Sequence, residues 1–288
     1  MKSLHLLCLG TLPELSNTCQ LSTQPSTQPS TTPELTSSST ALRSMSSGDA
    51  SAPTLKRGLA YENAEVVSVF QPGQLDWAYN WAGSVGGDLS SGIEYVPMLH
   101  DGNVSYTTWI GEALEAVEQG PRSVLSFNEP DIVSQANVPP VEAAARHRAY
   151  MQALVGKAMI GSPAISNANQ TDPPMGVPWL DHFFEACGAA CPVDFLAVHW
   201  YDRADNIAYF QAYLEAVSSF ATSRGVSEIW LTEFGASGSD EAQRRFLTQA
   251  VDLLRGSPLF RRYAWFAGTD DAWRSGSALS PLGQAYGS

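Results

Sequence analysis

Eight short apolar runs recur along residues 56–288, at 57–61, 77–81, 94–99, 123–127, 158–162, 194–199, 229–234 and 263–266. Each has the length of a strand buried on both faces. Helical spacing fills most of the intervals between them. Trp109, Leu114 and Val117 share one helical face, as do Ala145, Tyr150, Met151 and Leu154. Leu180, Phe183, Phe184 and Cys187 follow the same pattern, then Ile207, Phe210, Tyr213, Leu214 and Val217, then Phe246, Leu247, Val251 and Leu254. Apolar positions three and four apart mark amphipathic helices. Strand–helix alternation implies parallel strands joined by right-handed crossovers. Eight such strands predict an α/β fold of the (β/α)8 TIM-barrel type, and the stretch is close to the roughly 250 residues such a barrel needs. Residues 83–92 read as loop, so the early part of the barrel is expected to be poor in helix. Neither glycine pattern of a nucleotide-binding fold is present.

The segment before the barrel is different. Residues 16–55 are rich in Ser and Thr, carry scattered Pro and lack Trp, Tyr and Phe. Such a composition cannot bury enough apolar surface to offset its chain entropy. It is expected to be a disordered stalk, either O-glycosylated or a plain linker. Residues 1–15 hold one short apolar stretch interrupted by His5, which reads either as a weak signal peptide or as an inexact start. The acidic balance, 29 Asp and Glu against 16 Lys and Arg, argues against nucleic acid and against an anionic membrane surface. No apolar run reaches the length of a membrane-spanning helix, so membrane insertion is not expected. Cys187 and Cys191 either close a small loop as a disulfide in an oxidising compartment or remain two thiols. Asn103-Val-Ser105 and Asn169-Gln-Thr171 are acceptor motifs for N-glycosylation if the chain enters the secretory pathway.

In a parallel barrel the chemistry sits at the carboxyl ends of the strands. The fourth run ends in Ser126-Phe127-Asn128-Glu129-Pro130-Asp131, and the seventh in Trp230-Leu231-Thr232-Glu233-Phe234-Gly235. Each places a Glu where an apolar run stops. Two carboxyl groups facing across a cleft are what glycoside hydrolysis requires, one protonating the leaving oxygen and the other attacking carbon or activating water. The bland alternative is two strand-end glutamates in surface ion pairs. No metal-ligand set is visible, and hydrolysis by two carboxylates needs no cofactor.

Asn-Glu-Pro ending a fourth strand, with a Glu ending the seventh, resembles the clan of retaining (β/α)8 glycosidases. Lys56-Arg57-Gly58-Leu59-Ala60-Tyr61, Tyr79-Asn80-Trp81, Tyr95-Val96-Pro97-Met98-Leu99 and Ala197-Val198-His199-Trp200-Tyr201, taken with the two Glu motifs, are similar to glycoside hydrolase family 128. That resemblance implies a fungal-type endo-β-1,3-glucanase acting with retention, Glu129 as acid/base and Glu233 as nucleophile. It implies Asn128 at the sugar 2-hydroxyl, and His199 and Tyr201 facing the cleft, with Tyr201 holding Glu233. Trp265, ending the eighth strand, is expected to floor the subsite of the scissile sugar. Trp200 and Trp81 are expected either to stack on sugar or to pack in the core, and Tyr61 to line the cleft. Trp77 and Trp109 are expected in the core, and His147 in a structural role. The implied partner is β-glucan, the implied place secreted or in the cell wall, and a monomer is expected. Hydrolysis of another β-linked polysaccharide such as β-1,4-mannan, or non-catalytic glucan binding, are the competing readings.

Overall fold

The computed structural model describes residues 54–120, 122–266 and 269–288. The expected leader and nearly all of the expected stalk lie outside the described residues. Eight parallel strands are present: β1 (Lys56–Ala60), β2 (Trp77–Tyr79), β3 (Glu94–Tyr95), β4 (Ser123–Val124), β5 (Met159–Ile160), β6 (Leu196–Arg203), β7 (Ile229–Ser237) and β8 (Phe260–Trp265). One sheet runs β3-β2-β1-β8-β7-β6, and β4 pairs with β5. Parallel bridges Met98–Leu125 and Gly161–Phe195 join that pair to the sheet on its two sides, closing the (β/α)8 barrel. All eight apolar runs carry a strand. The ladders of β3 and β5 are short because Pro97 and Pro163 bring no N–H. Leu125 N donates to the Pro97 carbonyl at 2.9 Å, so the strand direction continues beyond the ladder.

Helices α1 (Tyr106–Gln119), α2 (Pro140–Met151), α3 (Val177–Cys187), α4 (Ile207–Ser223) and α5 (Asp240–Gly256) cover the outside, and a short α6 (Pro281–Gly287) follows β8. Ser105 caps α1 by accepting from Thr108 N, and Ser239 caps α5 by accepting from Ala242 N. A 3-10 turn, Ala64–Val69, stands in place of the first helix, and residues 83–92 form a loop as expected. Cys187 and Cys191 form a disulfide just beyond α3, with Cα atoms 5.3 Å apart.

Strand alternation sorts the core into two layers. Ala60, Trp77, Tyr79, Val96, Leu125, Phe195, Ala197, Trp230 and Ala264 fill the barrel interior. Gly58 makes room for the Trp77 ring, since a Cβ there would lie 2.2 Å from it. The Arg262 guanidinium lies 3.9 Å from the Trp230 ring centroid and pairs with buried Glu94, so the charge has both a counter-ion and an aromatic face. Between barrel and helices lie Leu59, Val198, Leu231, Phe234, Tyr263 and the helical apolar faces. Trp109 is buried there and donates to the Met98 carbonyl. His147, also buried, is held by Ser126 Oγ and the Pro192 carbonyl, which is the structural role expected of it.

Candidate active site

The upper ends of β2, β4, β6 and β7 deliver one cluster. On β6, Ala197 points inward, so His199 and Tyr201 do too. On β7 the phase must change, because Trp230 already points inward and strict alternation would turn Glu233 away. A register shift corrects this: Val198 pairs with Leu231, but His199 pairs with Glu233. The extra residue, Thr232, is a β-bulge that re-aims Glu233 into the cleft. Beyond β4, Glu129 adopts φ 41°, a left-handed conformation unusual for a side-chain-bearing residue. It is held there by Glu129 N donating to the Ala164 carbonyl at 2.8 Å and Ile132 N donating to the Glu129 carbonyl at 3.0 Å. Trp81 shares this strained region at φ 59°. Such strain persists only where the surroundings over-determine it, and it concentrates at functional sites.

Glu233 is buried and accepts three hydrogen bonds. Oε1 receives Tyr79 OH at 2.9 Å and Trp81 Nε1 at 2.7 Å, and Oε2 receives Tyr201 OH at 2.6 Å. His199 Nδ1 stands between the two carboxyl groups, 3.0 Å from Glu129 Oε1 and 3.5 Å from Glu233 Oε2. Oxygen and nitrogen atoms of Glu129, His199 and Glu233 all lie within 4.8 Å of one another. That spacing alone would suit a cation. However, Tyr79 and Trp81 fill both lone pairs of Glu233 Oε1 and Tyr201 takes Oε2, so the set is arranged for protons rather than for a metal.

The two carboxyl groups have unequal surroundings. Burial pushes the Glu129 carboxyl above its usual range, more than His199 draws it back. Glu233 has three donors around it, Tyr79, Trp81 and Tyr201. For His199, burial works against the charged form, but the carboxylates of Glu233 and Glu129 outweigh it and hold the imidazole above its usual range. Burial first, then the Glu233 charge, pushes Tyr79 and Tyr201 well above the ordinary phenol range, so both stay neutral donors. Asn128 is buried, with Nδ2 donating to Gln135 Oε1 at 3.2 Å and Oδ1 left without a partner.

Residues 58–286 match the family model described as glycosyl hydrolase catalytic core. A crystal structure of a GH128 (subgroup III) curdlan-specific exo-β-1,3-glucanase from Blastomyces gilchristii, in complex with glucose, is 39% identical. It superposes with a TM-score of 0.76, covering 81% of this chain and 97% of that one. The chain belongs to glycoside hydrolase family 128. A second member of the family, an endo-β-1,3-glucanase (subgroup I) from Amycolatopsis mediterranei in complex with laminaripentaose, is 27% identical at a TM-score of 0.66, covering 83% and 99% of the two chains. Alkali-sensitive linkage protein 1 of Schizosaccharomyces pombe is 32% identical over 235 residues, 74% of this chain. The match spans 40% of that relative's length.

Within this family 128 barrel the structure brings together Glu129, Glu233, Asn128, His199, Tyr201 and Trp81, and leaves three expected residues out. Trp265 is buried in the outer layer, with ring centroids 5.0 Å from Phe234 and 6.0 Å from Phe246. It does not floor the cleft, because Ala264 and Phe266 take the inward phase of that segment. Trp200 alternates outward between His199 and Tyr201 and stacks on Phe246 at 5.0 Å. Tyr61 is buried beside Leu59 and donates to the Val85 carbonyl at 2.6 Å, bracing a loop instead of lining the cleft. Two residues went unassigned in the sequence. Tyr79 shares the inward phase of Trp77 and Trp81. Half-buried Phe266 meets Trp81 edge-on at 5.6 Å and Tyr201 at 6.4 Å. Tyr79 has a signal in the sequence, its parity with Trp77 and Trp81. Phe266 has none, because the expectation placed Trp265, of opposite parity, in the cleft.

Proposed function

We propose that this chain hydrolyses β-1,3-glucan with retention of configuration, with Glu233 as nucleophile and Glu129 as general acid and base. The observation that carries the reading is the close approach of two carboxyl groups in unequal environments, within 4.8 Å through their nearest atoms. Retaining glycosidases hold the pair about 5–5.5 Å apart, whereas inverting enzymes leave room for a water at about 6.5–9.5 Å. In the first step a Glu233 oxygen bonds to the anomeric carbon. The bond from that carbon to the leaving oxygen breaks, and Glu129 supplies the proton that oxygen needs. In the second step Glu129, now a carboxylate, takes a proton from water. The water oxygen attacks the same carbon and Glu233 departs. Tyr201, Tyr79 and Trp81 keep Glu233 aimed, and the free Oδ1 of Asn128 is available to a sugar hydroxyl.

Endo action is the mode proposed, as cleavage inside the polymer. Exo action is the second reading, favoured by the 39% identical relative whose crystal structure is described as an exo-enzyme. The Cys187–Cys191 disulfide supports an oxidising compartment, hence secretion or residence in the cell wall. Among the described residues, no helix is long and apolar enough to cross a membrane. The test incubates the full chain with linear β-1,3-glucan, β-1,4-glucan and β-1,4-mannan and follows reducing ends and product sizes. Mixed oligosaccharides from β-1,3-glucan alone are expected. Early release of only short products would favour the exo mode. Glucan binding without turnover at any pH would overturn the catalytic reading.

A further inference from the structure

Immediately after the catalytic loop residue Glu129 comes Pro130 and then Asp131, a buried carboxylate that the mechanism above does not use. Its contacts are all to donors. Oδ2 accepts from Ser166 Oγ at 2.6 Å and from Gly176 N at 2.8 Å, and Ser166 N approaches both oxygens at 3.2 and 3.3 Å. An acceptor so surrounded is the pattern of an anion. The donors come from the segment between β5 and α3. Gly176 has φ 66°, and a Cβ there would fall 1.5 Å from the Ala168 carbonyl oxygen, so the chain closes tightly on itself where Asp131 grips it.

The same segment reaches the other catalytic side. Asn167 Oδ1 accepts from Tyr201 N and its Nδ2 donates to the Tyr201 carbonyl, both at 3.1 Å. Tyr201 in turn holds Glu233. Thus Ser166 and Asn167, adjacent in sequence, brace the Glu129 loop and the Glu233 partner against each other.

Resting on the role given above to Glu129, we propose that Asp131 is a positioning residue for the acid/base. It ties the Glu129 loop to the β5–α3 segment and holds a buried carboxylate two residues along the chain from Glu129. That charge opposes ionisation of Glu129 and favours protonated His199. The other titratable groups facing Glu129 are His199 and Tyr201 from β6, Glu233 from β7, Tyr79 from β2 and Tyr213 from α4. Glu129 must carry its proton to protonate the leaving oxygen, so the alkaline limb of kcat/KM reports how strongly it holds that proton.

The test compares full-length wild type with Asp131→Asn, Ser166→Ala and Glu129→Ala across pH, on a β-1,3-linked oligosaccharide with a poor leaving group and on an activated aryl glycoside. On the poor leaving group, Asp131→Asn is expected to move the alkaline limb to lower pH by about half a unit or more. KM is expected to stay within about two-fold, since the Asp131 carboxylate is engaged by Ser166 and Gly176. Ser166→Ala keeps the charge but removes its shortest donor, so the limb is expected to move to higher pH. Limbs at the wild-type position in both variants overturn the proposal and leave the role of Glu129 standing. If Asp131→Asn does not fold, an unmoved limb in Ser166→Ala alone overturns it. An alkaline limb that persists unchanged in Glu129→Ala on the activated glycoside overturns both the proposal and the acid/base role beneath it.

Discussion

Tyr201 donates its phenol proton to Glu233 Oε2 across 2.6 Å, at the place where attack on the anomeric carbon is proposed to occur. The bond orients one oxygen and leaves its remaining lone pair for bond formation. Tyr79 and Trp81 hold the other oxygen, so the carboxylate cannot rotate without giving up a buried hydrogen bond. A charge-assisted hydrogen bond contributes about 1.5–3 kcal/mol. Tyr201→Phe is therefore expected to lower kcat about 10- to 100-fold with little change in KM. Steady-state kinetics on β-1,3-glucan check this, and a pure KM effect would show that Tyr201 serves binding instead.

Glu233→Gln is expected to abolish turnover while glucan binding persists, because the aromatic and polar walls of the cleft remain. Glu129→Ala is expected to slow hydrolysis by about 10²–10⁴-fold on a poor leaving group and much less on an activated one, which departs without protonation. Parallel assays on the two substrate types, with binding measured by co-sedimentation on insoluble glucan, separate these effects. Equal losses on both would count against the acid role.

His147 links the barrel to acid sensitivity. Burial pushes its imidazole from 6.5 down to about 4, and the Pro192 carbonyl only partly opposes this. Its folded value lies below its unfolded value, so the neutral form is favoured in the folded state. The stability it contributes is present above pH 6.5 and is lost as pH falls toward 4, by an amount on the order of 3 kcal/mol. Urea denaturation at pH 7, 6, 5 and 4 is expected to show this loss in wild type and a shallower slope in His147→Gln. Equal slopes would mean that His147 holds its proton equally well in the folded and unfolded states, against the burial effect.

The alternation of apolar runs and helical faces made the barrel legible, and the glutamates at two run ends pointed to the pair that the structure brings together and for which catalysis is proposed. Side-chain direction within the runs was harder to read. A strand buried on both faces shows Trp, Phe and Val on either side, so its pattern carries no phase signal of its own. Trp265 and Trp77 look alike in sequence, yet one faces the helices and the other the barrel interior. Phase was recoverable on β6, because placing His199 and Tyr201 in the cleft obliges Trp200 to face outward. On β7 it was not recoverable, because the bulge at Thr232 breaks the alternation between Trp230 and Glu233. The brace from Asp131 to Ser166 was hidden for another reason: its partners are 35 positions apart and meet only through tertiary packing.

That distinction of phase can be measured by exchanging outward and inward aromatics. Trp200 is fully buried, stacked on Phe246 and edge-on to Phe210. Trp200→Ala is expected to cost about 3–5 kcal/mol of stability through the cavity it leaves. Where the variant stays folded at low temperature, KM should remain near the wild-type value, since the indole touches no part of the cleft. Phe266 is half-buried at the mouth, against Trp81 and Tyr201. Phe266→Ala removes less buried surface and should lower Tm only slightly, but it frees the Trp81 ring that donates to Glu233. Its cost is expected in kcat/KM, about 10-fold or more if the indole loses its aim. Thermal unfolding and kinetics on the same preparations decide the matter. A large KM rise in Trp200→Ala, with a stable and fully active Phe266→Ala, would reverse the assignment of the two faces.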